Sequence, residues 1–335
     1  MTQNMLYPSS ILFSSTLSMG IILAISSSSW FGAWMGLELN LMSFLALISI
    51  KNNQYSSESA LKYFLIQTLA SLVIMFSALV INTLFEWASM GIMISLFLKS
   101  GVAPFHFWFP IVMESLNWSH TTILLTLQKI APLSLLSHLA KTNEFLFMIF
   151  IFISASVGAI GGLNQTSLRK LLAYSSISHM AWMLTAILIS EMMWMIYLFT
   201  YCLMILTITF LFFYQQSFYL SSLITNKTFS MTMKMVTFMA LLSLGGLPPF
   251  TGFFIKWMMI QELVITSNFF ILLILLISAL LTLFFYMRII FFVLLIYPTT
   301  PKWMITKSKM TLILPLISML HILGIWGPSF FILLA

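Results

Sequence analysis

The chain contains no aspartate, and only 6% of its 335 residues are charged. A soluble globular domain carries about 25% charged residues, so this chain lacks the polar side chains that would coat a surface facing water. Hydrophobic residues make up 61% of the sequence. The composition excludes a large soluble domain and predicts one transmembrane domain over residues 1–335. At about 20 apolar residues per span, there is room for roughly ten to twelve helices.

Cysteine is almost absent as well. The single Cys202 excludes a disulfide within the chain, and it excludes a metal or iron–sulfur site built from several thiolates. The sequence also has no glycine-rich phosphate loop and no dinucleotide-binding fingerprint. We therefore expect this chain to hold no cofactor and no metal and to carry out no electron transfer. Any redox energy that it uses must come from elsewhere.

No lysine or arginine precedes Lys51, although an apolar run begins near Ser9. This start fits neither a secretory signal peptide nor an arginine-rich transit peptide. We expect either that the first helix is kept as an anchor or that the protein is made inside the compartment that inserts it. The 26 methionines and 32 phenylalanines indicate a biased coding genome, as in an organelle.

The 14 basic residues form no dense cluster, which argues against nucleic-acid binding.

Hydropathy, glycine and proline breaks, and charge positions predict an all-α polytopic membrane protein with about eleven transmembrane helices. The predicted spans lie near residues 9–26, 30–50, 59–81, 87–104, 119–140, 145–163, 168–190, 192–214, 232–262, 266–297 and 311–333. The fourth span ends in a segment rich in proline and aromatic residues, and the ninth is interrupted by Gly-Gly-Leu-Pro-Pro at 245–249.

The loop charges support this number of spans, because successive loops lie on opposite sides of a membrane. One side receives Lys51, Arg169, Lys170, Lys227, Lys234, Lys302, Lys307 and Lys309. The other side receives Lys141 together with Glu86, Glu144, Glu191 and Glu262. The positive-inside rule then predicts an N-terminus on the inner side and, with an odd number of spans, a C-terminus on the outer side.

Among the ionisable residues inside the predicted spans, the main candidates are Glu38, Lys99, Lys129 and Lys256. A charged side chain at the centre of a membrane helix costs roughly 2.5–3.5 kcal/mol on insertion scales, and such residues are functional candidates by default. Burial favours the neutral form of a carboxyl or an amine, and a nearby opposite charge favours the charged form. We predict that these four residues carry protons. The alternative for each is a structural role as a neutral group, a buried ion pair or an anchor.

Two of the lysines lie beside breaks in their helices. Lys99 belongs to Leu-Lys-Ser-Gly-Val-Ala-Pro-Phe-His-Phe-Trp-Phe-Pro at 98–110, and Lys256 follows the break at 245–249. A broken membrane helix leaves carbonyl groups without partners, which is tolerated only against protein or a wet cavity. The breaks fall five spans apart, so the two helices are predicted to run in opposite directions. This arrangement is typical of inverted repeats with a site at their interface.

Three further residues are weaker candidates for proton relays. Lys62 lies near the end of its span and could instead reach the headgroups as an anchor. His106 follows the first break and could exchange protons with Lys99, and His179 shares its span with several hydroxyl groups. A hydrogen-bonded structural histidine explains both of these positions equally well. Loop, span-end or interfacial placement accounts for His120, His138, His321 and Arg288.

Six motifs in a fixed order carry a family resemblance. They are Gly-Leu-Glu-Leu-Asn at 36–40, Ala-Leu-Lys-Tyr-Phe-Leu at 60–65, Lys-Ser-Gly-Val-Ala-Pro-Phe-His-Phe-Trp at 99–108, Gln-Lys-Ile-Ala-Pro at 128–132, Gly-Gly-Leu-Asn-Gln-Thr-Ser-Leu-Arg-Lys-Leu-Leu-Ala-Tyr-Ser-Ser-Ile at 161–177 and Leu-Gly-Gly-Leu-Pro-Pro-Phe-Thr-Gly-Phe-Phe-Ile-Lys-Trp at 244–257. The set resembles the antiporter-like subunits of respiratory complex I in their animal mitochondrial form, over about residues 20–290.

The resemblance implies two inverted five-helix repeats, each with a broken helix, in a proton-translocating core subunit of NADH:ubiquinone oxidoreductase. Glu38 matches the family's proton-path glutamate, Lys99 its partner, Lys129 the central lysine and Lys256 the lysine after the second break. The implied partners are the lipid bilayer and other membrane subunits of complex I, including neighbouring antiporter-like subunits. NADH, FMN, iron–sulfur clusters and ubiquinone would be bound or used by other subunits.

The resemblance also implies a location. It places the chain in the mitochondrial inner membrane, with the N-terminus in the matrix and the C-terminus in the intermembrane space. Bacterial relatives have about three more spans at the N-terminus.

The residues themselves leave two other functions open. One is a free-standing cation/proton antiporter, which sodium uptake by the isolated chain would favour. The other is a membrane scaffold whose lysines are paired, which charge-neutral substitutions that preserve assembly and proton pumping would favour.

Overall fold

A computed structural model describes residues 8–49, 54–225, 231–295 and 313–322. Within these ranges the chain is helical and contains no named strand, and one isolated antiparallel bridge joins Ser167 and Tyr219. The helices are α1 (Pro8–Ser26), α2 (Trp30–Ser49), α3 (Gln54–Val80), α4 (Phe85–Ser100), α5 (Trp108–Ser115), α6 (Trp118–Leu125), α7 (Leu127–Leu139), α8 (Glu144–Gly161), α9 (Leu168–Ile189), α10 (Glu191–Gln215), α11 (Leu220–Thr225), α12 (Met231–Gly245), α13 (Thr251–Ile265), α14 (Phe269–Leu295) and α15 (Ile313–Ile322). The predicted all-α fold is confirmed.

Eight spans among the described residues are long and apolar enough to cross a membrane. They are α1, α2, α3, α6 with α7, α8, α9, α10 and α14. The ninth predicted span consists of two shorter helices, α12 and α13, as its glycine and proline residues predict. The fourth, near 87–104, corresponds to α4, and α5 begins beyond it, at Trp108. The eleventh predicted span, near 311–333, is described only over Ile313–Ile322, so a total of eleven stays a prediction. Lys51, Lys227, Lys302, Lys307 and Lys309, on which the predicted sidedness depends, lie outside the described residues.

The fifth predicted span is also divided, which the sequence did not indicate. Thr126 separates α6 from α7, and its backbone angles, φ −115° and ψ −76°, depart from those of a helix. Its hydroxyl donates a 2.7 Å hydrogen bond to the Thr122 carbonyl oxygen. No glycine or proline lies between 118 and 131, so the usual signal of a break is missing. As a consequence Lys129 lies in the first turn of α7.

The chain divides into two compact units, Met1–Phe150 and Ile151–Ala335. The first unit contains α1 to α7, the second contains α9 to α15, and α8 crosses the boundary. Each unit contains one of the two predicted broken helices, with Lys99 in the first and Lys256 in the second. This division matches the two halves that the family resemblance implies. The single domain predicted over 1–335 stays a prediction.

In the first unit, glycine brings α1 and α2 into backbone contact. A Cβ atom at Gly20 would lie 2.9 Å from the Gly36 carbonyl oxygen and from the Asn40 amide nitrogen. Small residues are the ones that allow membrane helices to approach this closely. From this base α2 packs on α3, α3 on α4, and α4 on α7. The packing holds the helices of Glu38, Lys99 and Lys129 in one bundle.

In the second unit, α9 is the most deeply enclosed of the candidate spans, with 83% of its apolar stretch buried. It packs against α10, α13 and α14. Its buried serine hydroxyls at 175, 176 and 178 donate to carbonyl groups of the preceding turn, at 3.0, 2.7 and 2.7 Å. These bonds satisfy the hydroxyls within their own helix. Together α9, α10, α14 and α15 enclose the broken helix of this unit.

Candidate functional site

The first break is closed by a Schellman motif at the end of α4. Gly101 adopts the left-handed conformation, with φ 73°, which glycine reaches without steric cost. Its amide donates to the Leu98 carbonyl oxygen at 3.2 Å, and the Val102 amide donates to that of Phe97 at 3.0 Å. The Trp108 indole donates a further hydrogen bond to Leu98, at 3.2 Å. These hydrogen bonds fix the backbone at the break, so that α4 ends directly after Lys99 and Ser100.

Lys99 lies in the last turn of α4 and is 7% exposed. Its ammonium nitrogen is buried and has no hydrogen-bond partner among the described residues. The carbonyl ends of a helix carry partial negative charge, which favours a cation at this position. The Lys99 carbonyl oxygen accepts a 3.3 Å hydrogen bond from the Gln67 side chain of α3. The backbone is thus held in place while the side-chain amine is left without a direct partner.

One cavity joins Lys99 to Lys129. Its volume is about 10 Å³, which is space for about one water molecule. Its lining consists of Tyr63, Lys99, Ser100, Trp108, Phe109, Leu124, Gln128 and Lys129. Lys129 is 3% exposed, and its ammonium lies 5.6 Å from the centre of the Phe109 ring, within the range of a cation–π contact. Two buried amines therefore line a common space together with hydroxyl and amide groups that could bind water.

Glu38 lies half-buried on α2 and is not among the residues that line this cavity. Its carboxylate acts electrostatically on both Lys99 and Tyr63. Glu38 and Lys99, both within the described part of the chain, form no salt bridge within 4.0 Å. The predicted pairing of Glu38 with Lys99 in a proton path stays a prediction, and the two side chains are not in direct contact.

A hydrogen-bonded network borders the same cavity. The Gln128 amide donates to the Asn40 side-chain oxygen at 2.9 Å, and the Tyr63 hydroxyl donates to the Gln128 oxygen at 3.3 Å. These three residues belong to α7, α2 and α3. Each lies within two residues of a charged candidate, since Asn40 follows Glu38, Tyr63 follows Lys62 and Gln128 precedes Lys129. The network fixes the helices that carry the charges.

The second break, after α12, has the same backbone conformation and hydrogen-bond pattern as the first. Gly246 is left-handed, with φ 81°. Its amide donates to the Ser243 carbonyl oxygen at 3.1 Å, and the Leu247 amide donates to that of Leu242 at 3.3 Å, again as a Schellman motif. Lys256, on α13, is 7% exposed and donates a 2.8 Å hydrogen bond from its ammonium to the Gly245 carbonyl oxygen. Its ammonium also lies 6.0 Å from the centre of the Trp182 ring.

The structure places the three weaker candidates differently. Lys62 is exposed on α3 and forms an ion pair with Glu58, one turn earlier. His106 is buried beside the first break, with its Nδ1 atom 3.2 Å from the Pro104 carbonyl oxygen. His179 is buried in the second unit, with its Nδ1 atom 2.9 Å from the Tyr197 hydroxyl. Roles for these residues in proton transfer stay predictions, and Lys62 does not line the cavity.

The sequence matches the model of a protein family described as NADH:quinone oxidoreductase/Mrp antiporter, transmembrane region, over residues 27–90 and 78–282. The chain belongs to this family. The matched residues include Glu38, Lys99, Lys129 and Lys256, which are the four main candidates. The resemblance inferred from the six motifs is thereby confirmed at the level of the family.

Individual members of the NADH:quinone oxidoreductase/Mrp antiporter family are also similar to this chain. NADH-ubiquinone oxidoreductase chain 2 of Locusta migratoria is 40% identical over 333 residues, covering 97% of each chain. The protein of the same name from Anopheles gambiae is 47% identical over 253 residues, which are 73% of this chain and 74% of that protein. A subunit in the structure of respiratory complex I from Thermus thermophilus with bound aureothin has the same fold. It aligns with a TM-score of 0.81 at 23% identity, over 95% of this chain and 78% of its own.

Asn40, Tyr63, Gln67 and Gln128 were not predicted as site residues, although the structure places all four around Lys99 or its cavity. A signal was present in the sequence, because polar amides and a tyrosine stand inside apolar runs beside charged residues. Their partners could not be inferred from the sequence, since Gln128 and Asn40 are 88 positions apart. Among the described residues, no group of three or more His, Cys, Asp or Glu side chains is arranged to hold a metal ion.

Proposed function

We propose that the chain translocates protons as a core membrane subunit of an NADH:ubiquinone oxidoreductase. The relatives from Locusta and Anopheles carry the name of a chain of that enzyme. The observation that carries the proposal is the cavity lined by two buried lysines, one of which has an amine without a hydrogen-bond partner in the described structure. Burying an amine in this way costs free energy. A packing role does not explain that cost, whereas proton binding does.

The proton path begins with Glu38, Lys99 and Lys129. A change in the charge of Glu38, driven by quinone reduction in another subunit, alters the free energy of protonating Lys99. Two unit charges about 8 Å apart interact by about 2 kcal/mol at an effective dielectric constant near 20. A change of that size shifts a protonation equilibrium about thirtyfold. Contact between the charged groups is therefore not required for one to switch the other.

The protonation state of Lys129 changes next, because Lys129 lines the same cavity as Lys99. Protonation of one amine disfavours protonation of the other, so a proton gained at Lys99 favours the release of one from Lys129. Tyr63, Ser100 and Gln128 supply hydroxyl and amide groups along the wall, which can orient water for the transfer. Lys256 of the second unit is the following proton carrier. Its ammonium form is stabilised by the Gly245 carbonyl oxygen.

The remaining parts of the enzyme lie outside this chain. Electron transfer from NADH through FMN and iron–sulfur clusters to ubiquinone takes place in other subunits, and this chain contributes no cofactor. Its partners are other membrane subunits, including further antiporter-like ones, and lipid. The chain lies in the mitochondrial inner membrane, with its N-terminus in the matrix and its C-terminus in the intermembrane space.

The test is Lys129→Met in the assembled enzyme, reconstituted in sealed vesicles. Assembly and electron transfer are measured separately from proton translocation. We expect fewer protons to be translocated per electron, because methionine has similar length and cannot bind a proton. Lys141→Met is the matched control, since Lys141 is exposed between α7 and α8. An assembled Lys129→Met enzyme with the native proton yield would contradict the proposal.

The family description supplies a second candidate, because it also includes Mrp antiporters. In that case the isolated chain would exchange sodium for protons. Uptake of sodium by vesicles that contain only this chain would favour antiport. The absence of uptake, together with a loss of proton yield in Lys129→Met, would favour the respiratory function.

A further inference from the structure

His321 joins three helices of the second unit through both of its ring nitrogens. It lies on α15 and is 2% exposed. Its Nε2 atom is 3.0 Å from the Thr207 hydroxyl on α10, and its Nδ1 atom is 2.8 Å from the Ser243 hydroxyl on α12. Sequence reasoning assigned no role to this residue. The proton path described above does not use it.

When the His321 ring is neutral, the groups around it have too few hydrogens to form every hydrogen bond that the distances suggest. The Thr207 hydroxyl lies 2.8 Å from the Met204 carbonyl oxygen, and the Ser243 hydroxyl lies 2.7 Å from that of Ala240. Each hydroxyl has one hydrogen, and a neutral imidazole has one N–H. Three hydrogens therefore serve four contacts. Protonation of the ring supplies the fourth, so that both nitrogens donate and both hydroxyls bond to their own helices.

The position of Ser243 connects this cluster to Lys256. Ser243 lies in the last turn of α12, two residues before Gly245, whose carbonyl oxygen accepts the Lys256 hydrogen bond. Its own carbonyl oxygen accepts the Gly246 amide in the second break. The last turn of a helix favours positive charge. The imidazolium form of His321 and the ammonium form of Lys256 would both be stabilised at this one helix end.

We propose that His321 is a further proton-binding residue of the second unit, which exchanges protons with Lys256 around the end of α12. This inference rests on the proposed proton translocation. In the forward step the Lys256 ammonium gives a proton to a bridging water molecule, and that water gives one of its protons to the imidazole. A new N–H bond forms on the ring, and the Ser243 or Thr207 hydroxyl turns its hydrogen back to its own helix. Lys256 becomes neutral, and the single positive charge remains at the same helix end.

The test compares His321→Gln, Lys256→Met and the native chain in the assembled enzyme in sealed vesicles. Glutamine offers one amide donor and one acceptor of similar reach but does not titrate, so the contacts to α10 and α12 can persist. We expect His321→Gln to assemble and to lower the rate of proton translocation by roughly tenfold or more, because a proton-transfer group contributes about 10²–10⁴-fold. His138→Gln is the control, since His138 is exposed at the end of α7.

A spectroscopic measurement separates proton binding from structural support. The infrared difference spectrum between the resting and the NADH-reduced enzyme should show a change from imidazole to imidazolium in the native chain. The same change should be absent from His321→Gln.

If His321→Gln does not assemble, Ser243→Ala takes its place, because it keeps the ring and removes one of its two partners. A reduced proton yield then supports the proposal, and an unchanged yield overturns it.

The outcomes also distinguish this inference from the proposed function. A native rate of proton translocation in His321→Gln, with a loss in Lys256→Met, overturns the role of His321 and leaves the proposed function standing. Native rates in both variants contradict proton translocation through this chain, and with it the role of His321.

Discussion

The Lys256 ammonium donates a 2.8 Å hydrogen bond to the carbonyl oxygen of Gly245, the last residue of α12. The lysine belongs to the following half of the same broken helix, eleven positions later. The break therefore folds one half-helix so that its cation lies at the carbonyl end of the other. In the first unit the cation comes from the last turn of the preceding half, at Lys99. Both breaks thus place a buried amine near a helix C-terminus.

Replacing Gly246 with alanine is expected to disturb this arrangement. Gly246 has φ 81°, where a residue with a side chain costs about 1–3 kcal/mol. The new Cβ atom would lie 2.9 Å from Lys256 Cδ and 3.1 Å from its Nζ, so the lysine must move. We expect a lower thermal stability and a reduced proton yield per electron in the assembled enzyme.

Gly245→Ala is the matched control for that substitution. Its Cβ atom would lie 3.5 Å from the nearest atom, on Tyr286, which is ordinary contact. The carbonyl oxygen that binds Lys256 is kept. Equal effects of the two substitutions would show that the left-handed turn does not position the lysine.

The hydrogen bond between Gln128 and Asn40 predicts a measurable coupling between α7 and α2. A double-mutant cycle with Asn40→Ala and Gln128→Ala isolates their interaction. We expect a coupling of about 0.5–1.5 kcal/mol, the range of a buried neutral hydrogen bond. The measurement is the thermal stability of the assembled enzyme with each variant. Additive effects would mean that the 2.9 Å contact does not hold the two helices together.

Lys62→Met is expected to leave the proton yield unchanged. Lys62 is exposed and paired with Glu58, and an exposed pair contributes about 0–1 kcal/mol to stability. It does not line the cavity of Lys99 and Lys129. Proton yield and electron-transfer rate are measured in the same preparations as for Lys129→Met. A loss of yield with intact assembly would place Lys62 on the proton path after all.

The sequence predicted the two main breaks because glycine and proline act locally. The helices end at Gly101 and Gly246, where the motifs predicted breaks, and both glycines are left-handed in the structure. The break at Thr126 was missed since no residue there restricts the backbone. Its backbone angles, φ −115° and ψ −76°, are known only from the structure.

The candidate site was predicted as a set of residues rather than as a geometry. An amine in an apolar run is visible in a sequence because of its solvation cost, which is how Lys99, Lys129 and Lys256 were found. The distances between them depend on long-range contacts. That Glu38 and Lys99 form no salt bridge in the described part of the chain, and that His321 bonds to two helices, could be learned only from the structure.

The unpartnered amine of Lys99 predicts opposite effects on stability and on function. A buried donor without a hydrogen-bond partner costs about 1–3 kcal/mol. Methionine has a similar length and no polar group to satisfy, so Lys99→Met should raise the temperature at which the assembled enzyme loses this subunit. The same substitution removes the group that senses Glu38 and should lower the proton yield per electron.

Leu98→Met is the control for Lys99→Met, because it changes the neighbouring side chain and leaves the amine in place. A structural lysine would behave in the reverse way, since its removal would break contacts that hold α4 in the bundle. Lower thermal stability of Lys99→Met with an unchanged proton yield would therefore assign Lys99 to the framework. Higher thermal stability of Lys99→Met with a reduced proton yield is expected only if the buried amine of Lys99 is unfavourable for folding and is required for proton transfer.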